Sequence, residues 1–235
     1  MIKIFDLPRI ILTNLYKVIT RIRVFNVGII PQGTSVIFTF NHICGADALV
    51  ANIALKRKIQ FLAKGIYFQN KMYAFFMSKI TGSIPIYQDD YAKNIPILKK
   101  LFTTSEKEKM SLGIFPEGDL YKKGGFGKFN KGAAYISYKL KWPIIPVYIH
   151  NMAKGPDVDC FIGRNEWAEG MTAMIINIGR RIDVVVGNPI WPTTFNKNNI
   201  SYKKIVEDIN NALFEEFLIL EKEIDNVTSK AQNKI

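Results

Sequence analysis

His42 and Asp47 stand five positions apart in the run Asn41-His42-Ile43-Cys44-Gly45-Ala46-Asp47. A neutral imidazole whose second ring nitrogen is held by a carboxylate acts as a general base near neutral pH, so the pair has the makings of a device that activates a hydroxyl. Residues five apart on one continuous helix do not share a face, because contacts fall at i+3 and i+4. His42 is therefore expected just ahead of a helix and Asp47 in its first turn, with Gly45 easing the bend between them. Residues 48–56 suit a mostly buried helix, and an acid in its first turn complements the dipole. The preceding residues 35–40 read as a buried strand. The imidazole then lies at the mouth of a strand-loop-helix crossover, where open α/β sheets hold their ligands. Alone, H-x4-D is better read as an ordinary loop histidine and a helix-start acid. Phe115-Pro116-Glu117-Gly118 gives it weight, because that turn closes a second apolar run at 111–114 and brings another carboxylate to a strand end. As a bare turn it would leave Glu117 exposed.

Rival chemistries are less well supplied. Cys44 lies two residues from His42 and invites a thiol-nucleophile reading. Side chains two apart in an extended segment need not converge, however, and a free cysteine is more often a small buried hydrophobe. Gly124-Gly125-Phe126-Gly127-Lys128 is like a phosphate loop, but Phe129 replaces the Ser or Thr that such a loop requires. The two histidines and two cysteines have no metal-ligand spacing, and neither a metal nor a resident cofactor is expected.

The elements that must position these groups alternate in type. Strand-like runs fall at 23–27, 35–40, 58–62, 83–87, 111–115 and 143–149, with helical segments at 70–79, 92–103 and 128–140. Two further strands are expected at 171–178 and 181–186, before a closing helix from 202 to about 222. This alternation predicts an α/β fold, a mostly parallel central sheet with flanking helices plus an N-terminal amphipathic helix. In that first helix Ile11, Leu12, Leu15, Val18, Ile19 and Ile22 fall at helical spacing, while Arg9, Thr13, Lys17, Thr20 and Arg21 supply a polar, basic side. It suits either the plane of a membrane interface or a cap packed on the sheet. A net charge of +12 calls for an anionic partner. An anionic membrane surface is preferred to nucleic acid, for which no recognisable module is present. No apolar stretch approaches the ~18 residues of a spanning helix, and no signal-peptide pattern occurs. Two cysteines outside any framework point to a reducing compartment, so the expected location is peripheral, on the cytoplasmic face of a membrane.

Four blocks, in order, resemble the glycerolipid acyltransferase family, whose best-known members are the 1-acylglycerol-3-phosphate (lysophosphatidate) acyltransferases. Asn41-His42 to Asp47 is similar to its N-H-x4-D, and Gly82-Ser83-Ile84-Pro85-Ile86 to its G-x-I-x-I segment. Phe115-Pro116-Glu117-Gly118 is similar to its F-P-E-G, and Pro143-Ile144-Ile145-Pro146-Val147 to its late P-I-x-P-V strand. The resemblance implies that His42 takes a proton from an acceptor hydroxyl, which attacks an acyl thioester, while Asp47 orients the histidine. It also implies substrate contacts at Glu117, Gly118 and Lys64, with backbone N–H groups around Gly45 or Gly118 meeting the oxyanion. The implied partners are a lysophospholipid acceptor and an acyl-donor carrier, either acyl carrier protein or coenzyme A. Two positions depart from the pattern. Gln88 stands where the family places an arginine against the acceptor's phosphate, and Asp119-Leu120 replaces Thr or Ser followed by Arg. A bidentate arginine fork is hard to replace, although Lys64, Lys122, Lys123, Lys128 and Lys131 are cations able to hold a phosphate. A phosphate-free acceptor, or a non-catalytic lipid-binding protein that keeps the fold, are the other readings. The predicted organisation is a membrane-associating helix and lead-in strand over residues 1–28, an acyltransferase domain over 29–225 and a disordered tail over 226–235.

Overall fold

In the computed structural model, which describes residues 7–87, 90–105, 108–120, 125–155, 166–196 and 200–232, seven strands form one sheet. They are β1 (Arg21–Phe25), β2 (Val36–Phe40), β3 (Gln60–Lys64), β4 (Ile84–Ile86), β5 (Ser111–Ile114), β6 (Ile144–His150) and β7 (Arg181–Val186). Their spatial order is β1-β7-β6-β2-β5-β3-β4, and only the β6–β7 pairing is antiparallel. The helices are α1 (Leu7–Ile19), α2 (Asp47–Leu55), α3 (Lys71–Phe75), α4 (Tyr91–Ser105), α5 (Gly132–Leu140), α6 (Glu166–Ile176) and α7 (Tyr202–Gln232). The α/β class and mostly parallel sheet expected from the sequence are what the chain forms.

β2 explains the layering. All five of its residues are buried, as a central strand covered on both faces must be. Its pleat sends Val36, Phe38 and Phe40 into one apolar cluster with Tyr16 of α1, Val50 of α2 and Ala173 of α6. Ile37 points the other way, into a cluster with Ala134 of α5 and Ile209, Leu213 and Phe217 of α7. Each large side chain buried in this way contributes on the order of 1.5–3 kcal/mol. β2 and β5 run parallel with Thr39 opposite Ile114, so the residues three beyond each, His42 and Glu117, arrive level at the same end of the sheet. The register thus brings two motifs that are distant in sequence to one corner.

Several expectations need correction. Residues 171–178, read as a strand, belong mainly to α6 and the turn after it. Among the described side chains of that helix and turn, Glu169, Ala173 and Asn177 are buried at four-residue spacing, whereas Met171, Ile175 and Ile178 face outward. With polar groups inside and apolar ones outside, hydrophobic periodicity pointed the wrong way. β1 begins at Arg21, two residues earlier than expected, and Ile22 belongs to it rather than to the first helix. The closing helix continues to Gln232, so residues 226–232 are helical where a disordered tail was expected. Residues 233–235 lie outside the described residues.

Candidate active site

The chain leaves β2 through a pinned residue. The buried Asn41 side chain accepts the Ile149 N–H at 2.8 Å and donates to the Ile149 carbonyl at 2.9 Å, so the loop that follows starts tied to β6. The chain then turns, the Asp47 N–H closing on the Cys44 carbonyl, and α2 begins at Asp47. The fully buried Asp47 uses one oxygen, Oδ2, for His42 Nδ1 at 2.9 Å, the Ile43 N–H at 2.6 Å and the Cys44 N–H at 3.0 Å. A carboxylate only accepts, so Nδ1 carries the hydrogen and Nε2 of the neutral ring keeps the free lone pair. The imidazole stacks on Phe115 with centroids 4.1 Å apart and 20° between planes, and Phe61 stacks on Phe115 in turn. The His42 side chain remains 22% exposed while that of Asp47 is sealed, which suits a base that meets substrate and an acid that does not.

Glu117 holds the same loop from the β5 side. Its Oε1 accepts the His42 N–H at 3.2 Å and its Oε2 accepts the Gly127 N–H at 2.9 Å. Gly127, in the glycine-rich run that is like a phosphate loop, therefore donates to a carboxylate of its own chain. Asn130 fixes this corner, its N–H donating to the Pro116 carbonyl at 2.7 Å and its Nδ2 to the Glu117 carbonyl at 3.1 Å. Burial pushes the Glu117 carboxyl above its ordinary value, with the Gly127 and His42 N–H groups pulling the other way.

On the far side of the loop the Gly45 N–H donates to Glu169 Oε1 at 3.3 Å. Four consecutive N–H groups, those of residues 42–45, thus each meet a carboxylate, from Glu117, Asp47 twice and Glu169. The oxyanion donors were expected among the N–H groups around Gly45 or Gly118. The Gly45 N–H is committed to Glu169, and the Gly118 N–H donates to the Phe115 carbonyl at 3.1 Å, closing a turn in which Gly118 takes a φ of 77°. Neither is free to meet developing charge in this arrangement.

Other expected residues divide. Lys64, at the end of β3, is ion-paired with Asp119, and Lys131 is paired with Glu207 of α7 at 3.1 Å. Gly118 sits in the corner through its backbone, Lys128 is exposed and Leu120 is half-buried. Gln88, Lys122 and Lys123 lie outside the described residues. Cys44 is fully buried with its Sγ 3.5 Å from Asp47 Oδ1. Burial first, and the Asp47 carboxylate next, push that thiol far above its ordinary value, which removes it as a thiolate nucleophile. Sequence reasoning missed three contributors. The Asn41 strap and the Phe115 stack lay within motifs already quoted, but Glu169 had no signal, because its helix was not foreseen.

The sequence profile described as Acyltransferase matches residues 21–150, more than half of the chain. Over 121 residues the chain is 27% identical to the chloroplastic 1-acyl-sn-glycerol-3-phosphate acyltransferase BAT2 of Brassica napus, a match that covers 52% of this chain and 34% of the relative. The aligned part is thus about a third of that curated relative's length. The fold is similar to that of the 1-acyl-sn-glycerophosphate (LPA) acyltransferase PlsC from Thermotoga maritima, with a TM-score of 0.56 over 91% of this chain and 81% of that one. At 13% identity this is a likeness of fold. The profile runs from β1 to the end of β6 and takes in both corners that build the carboxylate-lined loop, and the chain belongs to the acyltransferase family.

Proposed function

We propose that this protein is an O-acyltransferase that moves a fatty acyl group from an acyl thioester to the hydroxyl of a lysophospholipid, with 1-acylglycerol-3-phosphate the leading acceptor. The observation that carries the reading is His42 Nδ1 held 2.9 Å from a sealed Asp47 at the end of the sheet. His42 Nε2 takes the acceptor's proton as the oxygen attacks the thioester carbonyl. The new C–O bond forms, the tetrahedral intermediate expels the thiolate as the C–S bond breaks, and the imidazolium returns its proton to sulfur. Asp47 holds the tautomer and offsets the imidazolium charge, and base catalysis of this kind is worth roughly 10²–10⁴-fold. The donor is acyl carrier protein or coenzyme A carrying the acyl chain. No acyl-enzyme is required, in keeping with the buried Cys44 thiol.

The lipid acceptor is met at an anionic membrane surface, from its cytoplasmic face. Supporting this, α1 and α6 lie together, with the Tyr16 hydroxyl donating to the Met174 carbonyl at 3.2 Å. They leave Leu15, Val18, Met171 and Ile175 exposed, with exposed Lys17, Arg21 and Arg180 close by in the chain. Among the described residues no helix is long and apolar enough to cross a membrane.

A phosphate-free acceptor is the second reading, favoured by the Lys64–Asp119 pair, which already occupies one of the cations expected to hold a phosphate. Purified protein given both donor carriers and a panel of lyso-acceptors, with products read by mass spectrometry, decides between them. Diacylated phosphate-bearing product that is lost in His42→Ala is the expected result. Product from phosphate-free acceptors alone selects the second reading, and no product from any pair overturns both.

A further inference from the structure

The His42 ring is held at an atom by Asp47 and across its face by Phe115. Asp47 fixes Nδ1 at 2.9 Å, but a hydrogen bond at one atom leaves the ring plane free to rock about it. Phe115 takes up that freedom, lying within 20° of parallel to the imidazole with centroids 4.1 Å apart. Phe115 is backed in turn by two core rings, Phe61 of β3 stacked at 5.5 Å and 16°, and Phe40 of β2 tilted 46° at 5.8 Å. Phe40 is fully buried and Phe61 is only 5% exposed. A file of three near-parallel rings, Phe61, Phe115 and His42, thus runs from the core to the base.

One residue of β5 makes room for this file. Gly113 stands opposite Phe38 of β2 and Phe61 of β3, and strand alternation puts it on the same sheet face as Phe115. A Cβ here would fall 2.6 Å from Phe61 Cδ1 and Cε1 and 2.7 Å from Ile59 Cγ2. The Phe61 ring therefore uses the space that a side chain at 113 would take, and from there it reaches the residue two positions on, Phe115. Glycine weakens a strand interior, and a close approach of this kind is what explains one.

Building on the acyl-transfer reading, we propose that Phe61 and Gly113 are positioning residues for His42: Gly113 admits the Phe61 ring, and that ring holds Phe115 parallel to the imidazole. Both act through Phe115. Asp47 sets the tautomer, while the stack sets the direction of the Nε2 lone pair, which lies in the ring plane. Tilting the plane swings that lone pair away from the proton it must take, and a misplacement of about 1 Å can cost on the order of 10²-fold in rate. A core wall alone would ask for no more than an apolar side chain at 61.

Phe61→Leu keeps that position apolar and removes the ring, whereas Gly113→Ala keeps the ring and displaces it. Each is expected to lower kcat roughly 3–30-fold with KM for donor and acceptor unchanged. The double variant should lose no more than the larger single effect, because both changes act on one ring. NMR reads the same geometry without turnover. The Phe115 face shields the imidazole stacked on it, so at alkaline pH, where the ring is neutral, the His42 Cε1–H signal is expected upfield and should move downfield in both single variants. The chain has two histidines, and His150→Gln identifies which signal belongs to His42. Trp142→Leu serves as the control, because Trp142 is a buried aromatic just before β6, at the opposite end of the sheet from His42. It is expected to lower stability and to leave both kcat and the His42 signal unchanged. An unmoved His42 signal or wild-type kcat in either folded variant overturns the proposal. So does a raised KM at unchanged kcat, which would make the ring a wall of the substrate site, and so does an equal loss of kcat in Trp142→Leu. Because the signal needs no substrate, an inactive wild-type protein would sink the acyl-transfer reading while the stack is still judged on its own.

Discussion

Asp47 gathers three donors on one oxygen, and that concentration makes the loop sensitive to a single atom. Asp47→Asn offers an NH2 where acceptors are needed and leaves the imidazole tautomer unheld, so kcat is expected to fall by roughly 10²–10⁴-fold in steady-state assays. Retention of more than a tenth of the rate would remove Asp47 from the scheme. Cys44→Ala is expected to keep kcat within about 3-fold, because the raised thiol takes no part in the chemistry. A loss as large as that of His42→Ala would restore the thiol reading. Glu117 supplies a pH test of stability. Its folded value lies above the unfolded one, so the folded state binds more protons, and the related stability is present below the ordinary carboxylate value and lost as pH rises through the folded one. Thermal melts of Glu117→Gln against wild type are therefore expected to favour the variant more at pH 7 than at pH 4, and the opposite trend would refute the raised value. His42 and Asp47 were legible because a five-residue spacing forces a loop followed by a helix. The partners of Glu117 were not, because its contact with the His42 N–H exists only through the register of β2 on β5.

At the scale of elements, β strands were legible where β-branched and aromatic residues alternate or run unbroken, as in β2 and β6, because burial on both faces selects such runs. The same logic failed for α6, whose runs of Met and Ile face outward and whose inner stripe is Glu169, Ala173 and Asn177. Asn177 repays its burial through backbone contacts, accepting the Ala153 N–H at 2.8 Å and donating to the Ala173 carbonyl at 2.7 Å. Asn41 does the same between β2 and β6, and a side chain that satisfies both groups of one residue across two strands acts as part of the sheet. Asn41→Ala strands the Ile149 N–H and carbonyl in a buried setting, and is expected to lower unfolding stability by about 2 kcal/mol in urea titrations. It should also lower kcat, because the strap is the last fixed point before His42. A variant as stable as wild type would mean that the strap is dispensable and that strand pairing alone aims the loop.

For the molecule as a whole, one helix connects the chemistry with the surface. α6 and the turn after it present Glu169 to the His42 loop and Met171, Ile175 and Ile178 to solvent, where they line a shallow apolar groove with Leu15, Tyr16 and Ile19 of α1. A sequence in which one amphipathic helix is legible therefore folds into a two-helix apolar face. In α1 Tyr16 packs inward, as a helix capping the sheet would, while Ile11, Leu15 and Val18 remain outside. An exposed apolar face in a chain of net charge +12 suits anionic bilayers on two counts, apolar insertion and basic attraction. Each basic group near such a surface adds about 1 kcal/mol, and salt screens that part but not the apolar part. Vesicle sedimentation with phosphatidylglycerol-rich membranes separates the two terms. Leu15→Asp with Ile175→Asp is expected to abolish binding at every salt concentration, whereas Arg21→Gln with Arg180→Gln should weaken it at low salt and leave little difference at high salt. Acyl transfer to a monomeric, short-chain lyso-acceptor should survive the first pair, because both side chains face outward. Binding that is unaffected by the aspartates would place the membrane contact elsewhere on the protein.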